Sequence, residues 1–515
     1  MTTWVASRLL SRLPIRRVLA GAGIVLVAAA AVALAGFNPA DALLGILAAV
    51  LAAGMFVAPA LSISVLAIFL LLQQFLTNVV GGPETDVGRV IHQLDKYILV
   101  AGVVRVGLAL AVSKRRDPLR RWTAWSAAYC GLGLLSGLVH GVPLGTLMLG
   151  AFLALKFPLL VLLGLAIPWT PEDADRAVRW VVRLGPVLLA SGVILLVAPD
   201  AVRALFTDPG AAEEDFFRRG GLQSMQGIFT HPGNFGWAMS LVGCYGFANL
   251  LQRRKGPAAL ALATGAIGVL WSLRRKPLIA LPIAMLSSVI TLRTPRQRVA
   301  VLGTLVVLCA GTWLVGRQQL SVVSRATAAE YLDPDREDNL PRLLLYGVGW
   351  QVASSAFPLG AGFGRFGSYA SVLDYSPLYD QYGLSSVYGF TPDDPRYITD
   401  SYWPSVMAET GLLGAAVHLA LIVALWLALR RATRMPDSPG ASRLLAQAAG
   451  LALVELLVES AAGPVFATSL AAFAVGVPIG ISLRLAAPPA TPAFPVAPAE
   501  PTRIAEQLRS QAPLR

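Results

Sequence analysis

The feature that most constrains this chain is a series of long apolar runs that recurs from its beginning to its end. Each run has about 17–25 residues, and a helix of that length crosses the ~30 Å hydrocarbon core of a bilayer. Backbone N–H and C=O groups find no water in lipid, so each run is expected to form a helix. The chain of 515 residues is 56% hydrophobic and only 14% charged. It is therefore predicted to fold as an all-α, polytopic transmembrane bundle of about 12–14 spans.

We place the spans from the apolar runs and the loops that separate them. The predicted spans lie near residues 18–36, 42–58, 60–77, 97–112, 122–140, 144–168, 179–198, 235–251, 258–273, 277–292, 299–316, 403–429, 444–461 and 466–485. The resulting regions are a basic N-terminus (1–17), a first block of helices (18–316), a large external loop (317–402), C-terminal helices (403–485) and a Pro/Ala-rich tail (486–515). The tail composition predicts disorder in the cytoplasm.

The charges of the loops predict the orientation of the chain. Counting crossings from a cytoplasmic N-terminus places four loops inside, at 113–121, 252–256, 293–298 and 430–443. All four are rich in Arg and Lys, as the positive-inside rule requires. Topology thus explains the formal net charge of +13. We expect membrane lipids as partners of these cations and no nucleic acid.

One basic cluster departs from that rule. The segment "WSLRRKPLIALP" carries Arg274, Arg275 and Lys276 between two spans, and the same count places them on the external face. Arginine presents a planar fork that suits phosphate oxygens, so an anion such as a lipid diphosphate is the expected ligand. The alternative is a cluster whose side chains reach ordinary lipid headgroups. We favour the anion site because the positive-inside rule alone selects against these charges.

A second external segment, "FFRRGGLQSMQGIFTHPGNFGWAMS", adds further candidates. Arg218 and Arg219 precede a glycine-rich turn, and His231 stands just before a span. A histidine at that boundary can act as a base or as a hydrogen-bond donor. The segment can also serve only to start the helix, with Asn234 as its cap.

The long external loop supplies a third group. Its segment 341–371 predicts an amphipathic helix that ends near Pro358, followed by a glycine-rich turn, and Arg342 lies at the start of that helix. Asp400 lies where the loop enters the next span, and Glu409 lies about two turns deeper. A carboxylate there can serve as general base for a sugar hydroxyl. Asp400 can equally be a helix cap.

Other titratable residues allow no firm assignment. Arg105, Lys156, His418, Glu455 and Glu459 fall inside predicted spans, where a charge is costly and is usually paired or faces a cavity. A pairing of the glutamates with Arg105 or Lys156 is as plausible as a catalytic role, and a proton-coupled carrier would use such groups too.

Metal and disulfide chemistry find little support in the sequence. The stretch "DPDRED" at 333–338 has the acidic spacing of a sugar-nucleotide metal motif, but it is external, where nucleotide sugars are absent, so no metal and no cofactor is expected. The three cysteines, Cys130, Cys244 and Cys309, fall inside predicted spans and are interpreted as packing residues.

Taken in order, three of these segments resemble the O-antigen ligase and O-antigen polymerase family of bacterial membrane glycosyltransferases. They are "GIFTHPGNFGWAMS" (227–240), "SLRRKPLIALP" (272–282) and the loop "FPLGAGFGRFGSY" with its closing "DSYWPSVMAETGLLG". The resemblance covers roughly 215–430. One departure is Asp400-Ser401, where ligases usually carry His-Asn, and it favours a polymerase-like role.

The resemblance implies an active site at the outer face of the bacterial cytoplasmic membrane. There an undecaprenyl-diphosphate-linked oligosaccharide would be transferred to a hydroxyl of a glycan or a lipid-core acceptor, without a metal. Arg274 or Arg275 matches the arginine of the family's hairpin, and Arg218 or Arg219 and Arg342 stand where loop arginines are expected. These cations would stabilise the diphosphate leaving group. Lipopolysaccharide or another cell-envelope polysaccharide is the expected product.

Two other classes of function compete with this interpretation. A transporter or flippase of lipid-linked sugars would suit the charges inside the spans, but the long external loop and the lack of internal repeats count against it. A non-enzymatic membrane scaffold would account for the loops but not for the cations concentrated at one outer face.

Overall fold

The computed structural model describes most of the chain. The described residues are 50, 53–82, 85–113, 117–197, 218–219, 221–252, 256–292, 294–331, 341–435 and 438–487. The basic N-terminus, the predicted span 18–36 and most of 42–58 lie outside these residues. So do the "DPDRED" stretch and the tail from residue 488.

The described residues are almost entirely helical, which confirms the all-α prediction. The first helices are α1 (Pro59–Val79), α2 (Asp86–Val112), α3 (Pro118–Val139), α4 (Leu144–Ala166) and α5 (Pro171–Val197). After a hairpin of β1 (Arg218–Arg219) and β2 (Leu222–Gln223) come α6 (Pro232–Leu251), α7 (Pro257–Trp271), α8 (Arg275–Thr291), α9 (Pro295–Val315) and α10 (Arg317–Tyr331). Proline occupies the first position of several of these helices, where its missing N–H costs nothing.

The long loop that the sequence predicts to be external, which keeps the name external loop, and the C-terminal helices complete the fold. The loop contains α11 (Pro341–Ser355), the short helices α12 (Tyr369–Leu373) and α13 (Pro377–Gln381), and a 3₁₀ turn at Leu384–Ser386. It leads into α14 (Trp403–Ala432). Helix α15 (Gly440–Glu459), with a 3₁₀ turn at Ser460–Ala462, and α16 (Ser469–Leu485) end the described chain. Predicted spans and observed helices agree closely, although α2 begins eleven residues before its predicted span.

Six helices of the described residues are long and apolar enough to cross a membrane. They are α1, α4, α5, α9, α14 and the run from Gly440 to Ala462. Helices α7 and α16 are apolar but shorter. Only 6% of the apolar window of α9 is buried inside the protein, as expected for a helix that faces lipid. The protein is an integral membrane protein with several apolar helices.

Glycines let the central helices approach closely. A Cβ added to Gly164 of α4 would lie 2.5 Å from the carbonyl oxygen of Val477 in α16, and one added to Gly480 would lie 2.3 Å from that of Val161. Small residues permit such backbone contact between membrane helices. This contact fixes α16 against α4, and both helices contribute to the cavity described below.

The external loop has a hydrophobic core of its own. Leu345, Phe366, Tyr379, Phe390 and Ile398 are buried together there, separately from the main cluster of the bundle. Such a core holds a long connection in one arrangement. The loop is therefore a folded unit that rests on the bundle.

Candidate functional site

A cavity of about 890 Å³ opens where the helices meet the external loop. Its walls come from α1–α4, α6, α8 and α14–α16, from β1 and the start of α11, and from the loop segments around residues 229–231, 367–369, 397–402 and 463–468. Its volume lies within the range of ligand-binding clefts. Most of its lining residues stand at the helix ends that topology predicts to be external.

Five cations line one side of this cavity, and we call them the cationic wall. They are Arg219, Arg274, Arg275, Lys276 and Arg342. They come from three segments that are distant in sequence and were each selected as candidates above. Arg218, the sixth candidate cation, is exposed on β1 and does not line the cavity.

The hairpin turn between α7 and α8 is held in an uncommon backbone conformation. Leu273, fully buried, has φ = 53°, a value that non-glycine residues rarely adopt. Arg219 donates from Nη1 to the Leu273 carbonyl oxygen at 3.1 Å, and the N–H of Met225 donates to the carbonyl of Trp271 at 2.8 Å. The β-hairpin segment thus stabilises the turn that presents Arg274. Residues held in sparsely populated conformations concentrate at functional sites.

The side chain of Lys276 is held in place by a hydrogen bond. Its Nζ donates to the carbonyl oxygen of Ala462 at the end of the 3₁₀ turn after α15. Glu459 is its first charged neighbour, followed by Arg342 and Asp400. The partner of Glu459 is therefore Lys276, and neither of the two cations considered from the sequence. This arrangement ties the hairpin to the C-terminal helices.

Arg342 and Asp400 form an ion pair across the loop. Arg342 Nη2 lies 2.6 Å from Asp400 Oδ2, and the two side chains are 24% and 30% exposed. Arg342 belongs to the first turn of α11, whereas Asp400 lies just before α14. Both residues line the cavity. The pair therefore brings a candidate base beside a candidate phosphate ligand.

His231 also lines the cavity, as the N-cap of α6. The N–H of Gly233 donates to its Nδ1 at 2.9 Å, so in the neutral ring the proton resides on Nε2. Burial, and then the positive charges of Arg274 and Lys276, lower the pKa of His231 to about 3. The ring is therefore neutral at physiological pH. Its geometry suits a hydrogen-bond donor better than a base.

Glu409 organises the glycine turn, which comprises residues 358–367. The carboxylate is 3% exposed and accepts from the N–H of Phe366 at 3.2 Å and from the hydroxyl of Ser368 at 2.7 Å. Backbone N–H groups of Gly364 and Arg365 add to this set. Glu409 lines the cavity, but its carboxylate already accepts these hydrogen bonds from the glycine turn.

A break in α14 accepts the glycine turn. Gly411, with φ = 66° and ψ = −178°, interrupts the helix. The carbonyl oxygens of Ala408 and Glu409 then accept from the N–H groups of Ala361 and Gly362 at 2.8 and 2.9 Å. A Cβ on Gly411 would meet the Pro358 carbonyl oxygen at 2.1 Å. Backbone groups freed in the helix are thus satisfied by the turn, as burial requires.

A second polar part of the cavity lining is not predicted from the sequence. Asp95 of α2, Ser469 of α16 and Lys156 of α4 form a chain of hydrogen bonds. The Ser469 hydroxyl donates to Asp95 Oδ2, and Lys156 Nζ donates to Ser469 Oγ at 3.1 Å. With Lys96, these residues line the cavity, and we call the four the polar wall. Of these four residues, the sequence singles out only Lys156, as a charge inside a predicted span. Asp95 stands two residues before a predicted span, where a carboxylate is ordinary.

Two buried groups in the spans prove to be parts of the packing. His418 Nε2 lies 2.9 Å from the hydroxyl of Tyr402, and its ring is 4.5 Å from that of Tyr129. Glu455 is fully buried next to Ser240 and Trp237. Arg105, the remaining intramembrane charge considered above, does not line the cavity.

The arrangement can hold an anion beside a polar, partly enclosed space. Arginines preplaced at the cationic wall favour a phosphate or diphosphate. Asp400, fixed by Arg342, adds a carboxylate next to that anion. Such a site stabilises negative charge that grows on a leaving group, because its dipoles and charges need no reorganisation.

Comparison with known proteins supplies one match. Residues 260–419 match a family model described as O-antigen ligase, and this segment contains the hairpin, the external loop and the break in α14. The matched segment is less than half of the chain. No curated protein matches the sequence. Residues 260–419 of this chain are thus similar to the O-antigen ligase family.

Proposed function

We propose that the protein is a membrane glycosyltransferase that moves a glycan from undecaprenyl diphosphate to a sugar hydroxyl at the outer face of the cytoplasmic membrane. The family match supports glycosyl transfer of the O-antigen ligase or polymerase type. The observation that carries the proposal is the convergence of Arg219, Arg274, Arg275, Lys276 and Arg342 on one cavity.

The proposed reaction is a displacement at the anomeric carbon of the donor sugar. The acceptor oxygen forms the new glycosidic bond as the bond between the anomeric carbon and the diphosphate oxygen breaks. The bonding electrons leave with the diphosphate, whose added charge the arginines of the cationic wall stabilise. The acceptor proton passes to Asp400, which Arg342 holds in place.

The remaining candidates receive supporting roles. His231, neutral with its proton on Nε2, would donate a hydrogen bond at the diphosphate. Glu409 would hold the glycine turn, and through it the loop that carries Arg342 and Asp400. Lys276 would contribute positive charge from its anchored position. We propose no metal in any of these steps.

The test uses the protein in nanodiscs with a fluorescent oligosaccharide linked to undecaprenyl diphosphate, taken from the native pathway. A ladder of longer glycans would identify a polymerase, and a single shift that requires an added acceptor would identify a ligase. Arg275→Ala should reduce the formation of product by about 10²–10³-fold. Arg218→Ala is the matched control, since Arg218 is exposed and outside the cavity.

A transporter or flippase is the alternative that this assay separates. It would leave the substrate chemically unchanged while moving it across a sealed vesicle membrane. Binding of the lipid-linked substrate without any covalent product, together with such movement, would contradict the proposed transferase.

A further inference from the structure

The cavity has a second group of titratable residues that the transfer step does not use. Asp95 and Lys156 are buried, with exposures of 5% and 6%, and Lys96 is exposed beside them. They belong to α2 and α4, and Ser469 of α16 joins Asp95 to Lys156. Charges at such depth are costly, and they commonly mark a functional site.

This polar wall and the cationic wall have different charged neighbours. The charged neighbours that act on Lys156 are Asp95 and Lys96. Those that act on Lys276 are Glu459, Arg342, Asp400 and Arg275. Among the residues that the structure describes, these two sets of neighbours do not overlap, although both lysines line the same cavity. A ligand that spans the cavity would therefore meet two distinct chemical environments.

The charge balance of the polar wall differs from that of a phosphate site. The carboxylate of Asp95 repels an anion, and the ammonium of Lys156 is already bridged to that carboxylate through Ser469. Asp95 Oδ1 is buried and has no hydrogen-bond partner among the residues that the structure describes. A buried acceptor without a partner is unfavourable, because it has given up its hydrogen bonds to water. A ligand that donates a hydrogen bond would remove this cost.

We propose that Asp95, Ser469, Lys156 and Lys96 form a glycan subsite, which binds the acceptor sugar by its ring hydroxyls. A sugar hydroxyl donates to one partner and accepts from another, so a carboxylate and an ammonium side by side suit it. Asp95 accepts from one hydroxyl, and the lysines donate to its neighbours. The assignment to the acceptor rests on the proposed function, in which the cationic wall holds the donor diphosphate.

Binding of free glycan tests the subsite without any turnover. The probe is the oligosaccharide released by mild acid from the native lipid-linked donor, and its affinity for the protein in nanodiscs is measured by saturation-transfer NMR. Asp95→Asn should weaken binding about ten-fold, because the accepting oxygen loses its charge and a neutral hydrogen bond is weaker than a charge-assisted one. Asp86→Asn, on the exposed start of the same helix, should leave the affinity unchanged.

Further measurements keep the proposal open to refutation. If Asp95→Asn does not fold, the exposed residue Lys96 offers a second variant, Lys96→Gln, which should weaken glycan binding a few-fold. Inorganic pyrophosphate should not displace the glycan. An unchanged affinity in both variants, or displacement by pyrophosphate, would overturn the subsite.

The failure of this subsite and the failure of the proposed function are distinguishable. Arg275→Ala should keep the affinity for the free oligosaccharide while losing transfer. Glycan binding that depends on Asp95 would support the subsite even if no transfer product were ever formed. Transfer that proceeds with an unchanged KM for the acceptor in Asp95→Asn would retain the function and reject the subsite.

Discussion

The two walls of the cavity differ in how much of their positive charge is offset by carboxylates. The cationic wall brings four residues from the hairpins and one from α11 together, and Asp400 and Glu459 offset only part of their charge. The polar wall pairs its buried lysine with a carboxylate through one hydroxyl. An excess of fixed positive charge suits a leaving diphosphate, whereas a carboxylate beside two lysines suits hydroxyls that both donate and accept. Together the two walls offer what the proposed glycosyl transfer needs: positive charge for the leaving diphosphate and hydrogen-bonding groups for the acceptor sugar.

The largest effect is expected from a substitution that detaches the loop carrying part of the cationic wall. Gly411→Ala would place a Cβ 2.1 Å from the Pro358 carbonyl oxygen, at φ and ψ values that only glycine tolerates. We expect a loss of stability above about 4 kcal/mol, so that little folded protein is recovered. Size-exclusion chromatography measures the recovery of folded protein, and thermal unfolding in detergent measures its stability.

Gly303→Ala is the control for that variant. Gly303 lies inside helix α9 with nothing within 4 Å of an added Cβ. Alanine is favoured over glycine in a helix interior by about 1 kcal/mol, so this change should be neutral or slightly stabilising. Normal recovery of Gly411→Ala would mean that the turn and the helix do not depend on each other.

The next largest effect is expected within the cationic wall. Arg275→Ala should reduce kcat for transfer by about 10²–10³-fold, the usual cost of losing one stabilising group for a developing charge. Arg218→Ala should stay within a factor of two or three of the wild type. Equal losses in both variants would indicate that overall positive charge, and not the cavity, attracts the substrate.

Asp400→Asn distinguishes a base from a residue that only positions Arg342. Asparagine can still accept a hydrogen bond from the guanidinium, so a positioning role predicts less than about a ten-fold loss. A general base predicts a loss of about 10²–10⁴-fold in kcat. Initial rates of transfer by the variant and the wild type decide between the two.

The smallest effect concerns His231. Its folded-state pKa of about 3 lies below the ordinary value of 6.5, so below pH 6.5 the unfolded chain binds a proton that the native protein excludes. Stability should therefore fall as the pH drops from 6.5 toward 3. His231→Asn keeps an N-cap and should make that slope shallower, as thermal unfolding at several pH values will show. A kcat/KM inflection near 6.5 that disappears in this variant would contradict a neutral His231.

The helices could be predicted from the sequence because the bilayer requires them. Apolar runs end at charged or proline-containing loops, and the observed helices begin and end within a few residues of most predicted spans. Helix α2 is longer than its span because Thr85 caps a polar first part that lies before the apolar run. Helix α10 follows α9 within two residues, in a segment that the sequence predicts to be part of the external loop. Hydropathy identifies apolar helices, and it misses polar helices and the polar ends of longer ones.

The site was only partly predictable for a different reason. Arg274, Arg275 and Lys276 violated a topological rule and therefore stood out within the sequence. Asp95 violates no rule, because a carboxylate just before a span is ordinary. Its meaning depends on Ser469, more than 300 residues away, whose hydroxyl reaches it only in the folded bundle. Local patterns do not contain such a contact.

The docking of the glycine turn into α14 has a consequence for where the external loop can change in length. Residues 361 and 362 are bonded to 408 and 409, so the loop is closed on itself before it continues into the membrane. Gly383 lies between these fixed points, exposed, at φ = 71° and with nothing within 4 Å of an added Cβ. A peptide tag inserted at that position would leave both attachments in register. The loop can therefore carry a reporter of membrane sidedness without disturbing the cavity beneath it.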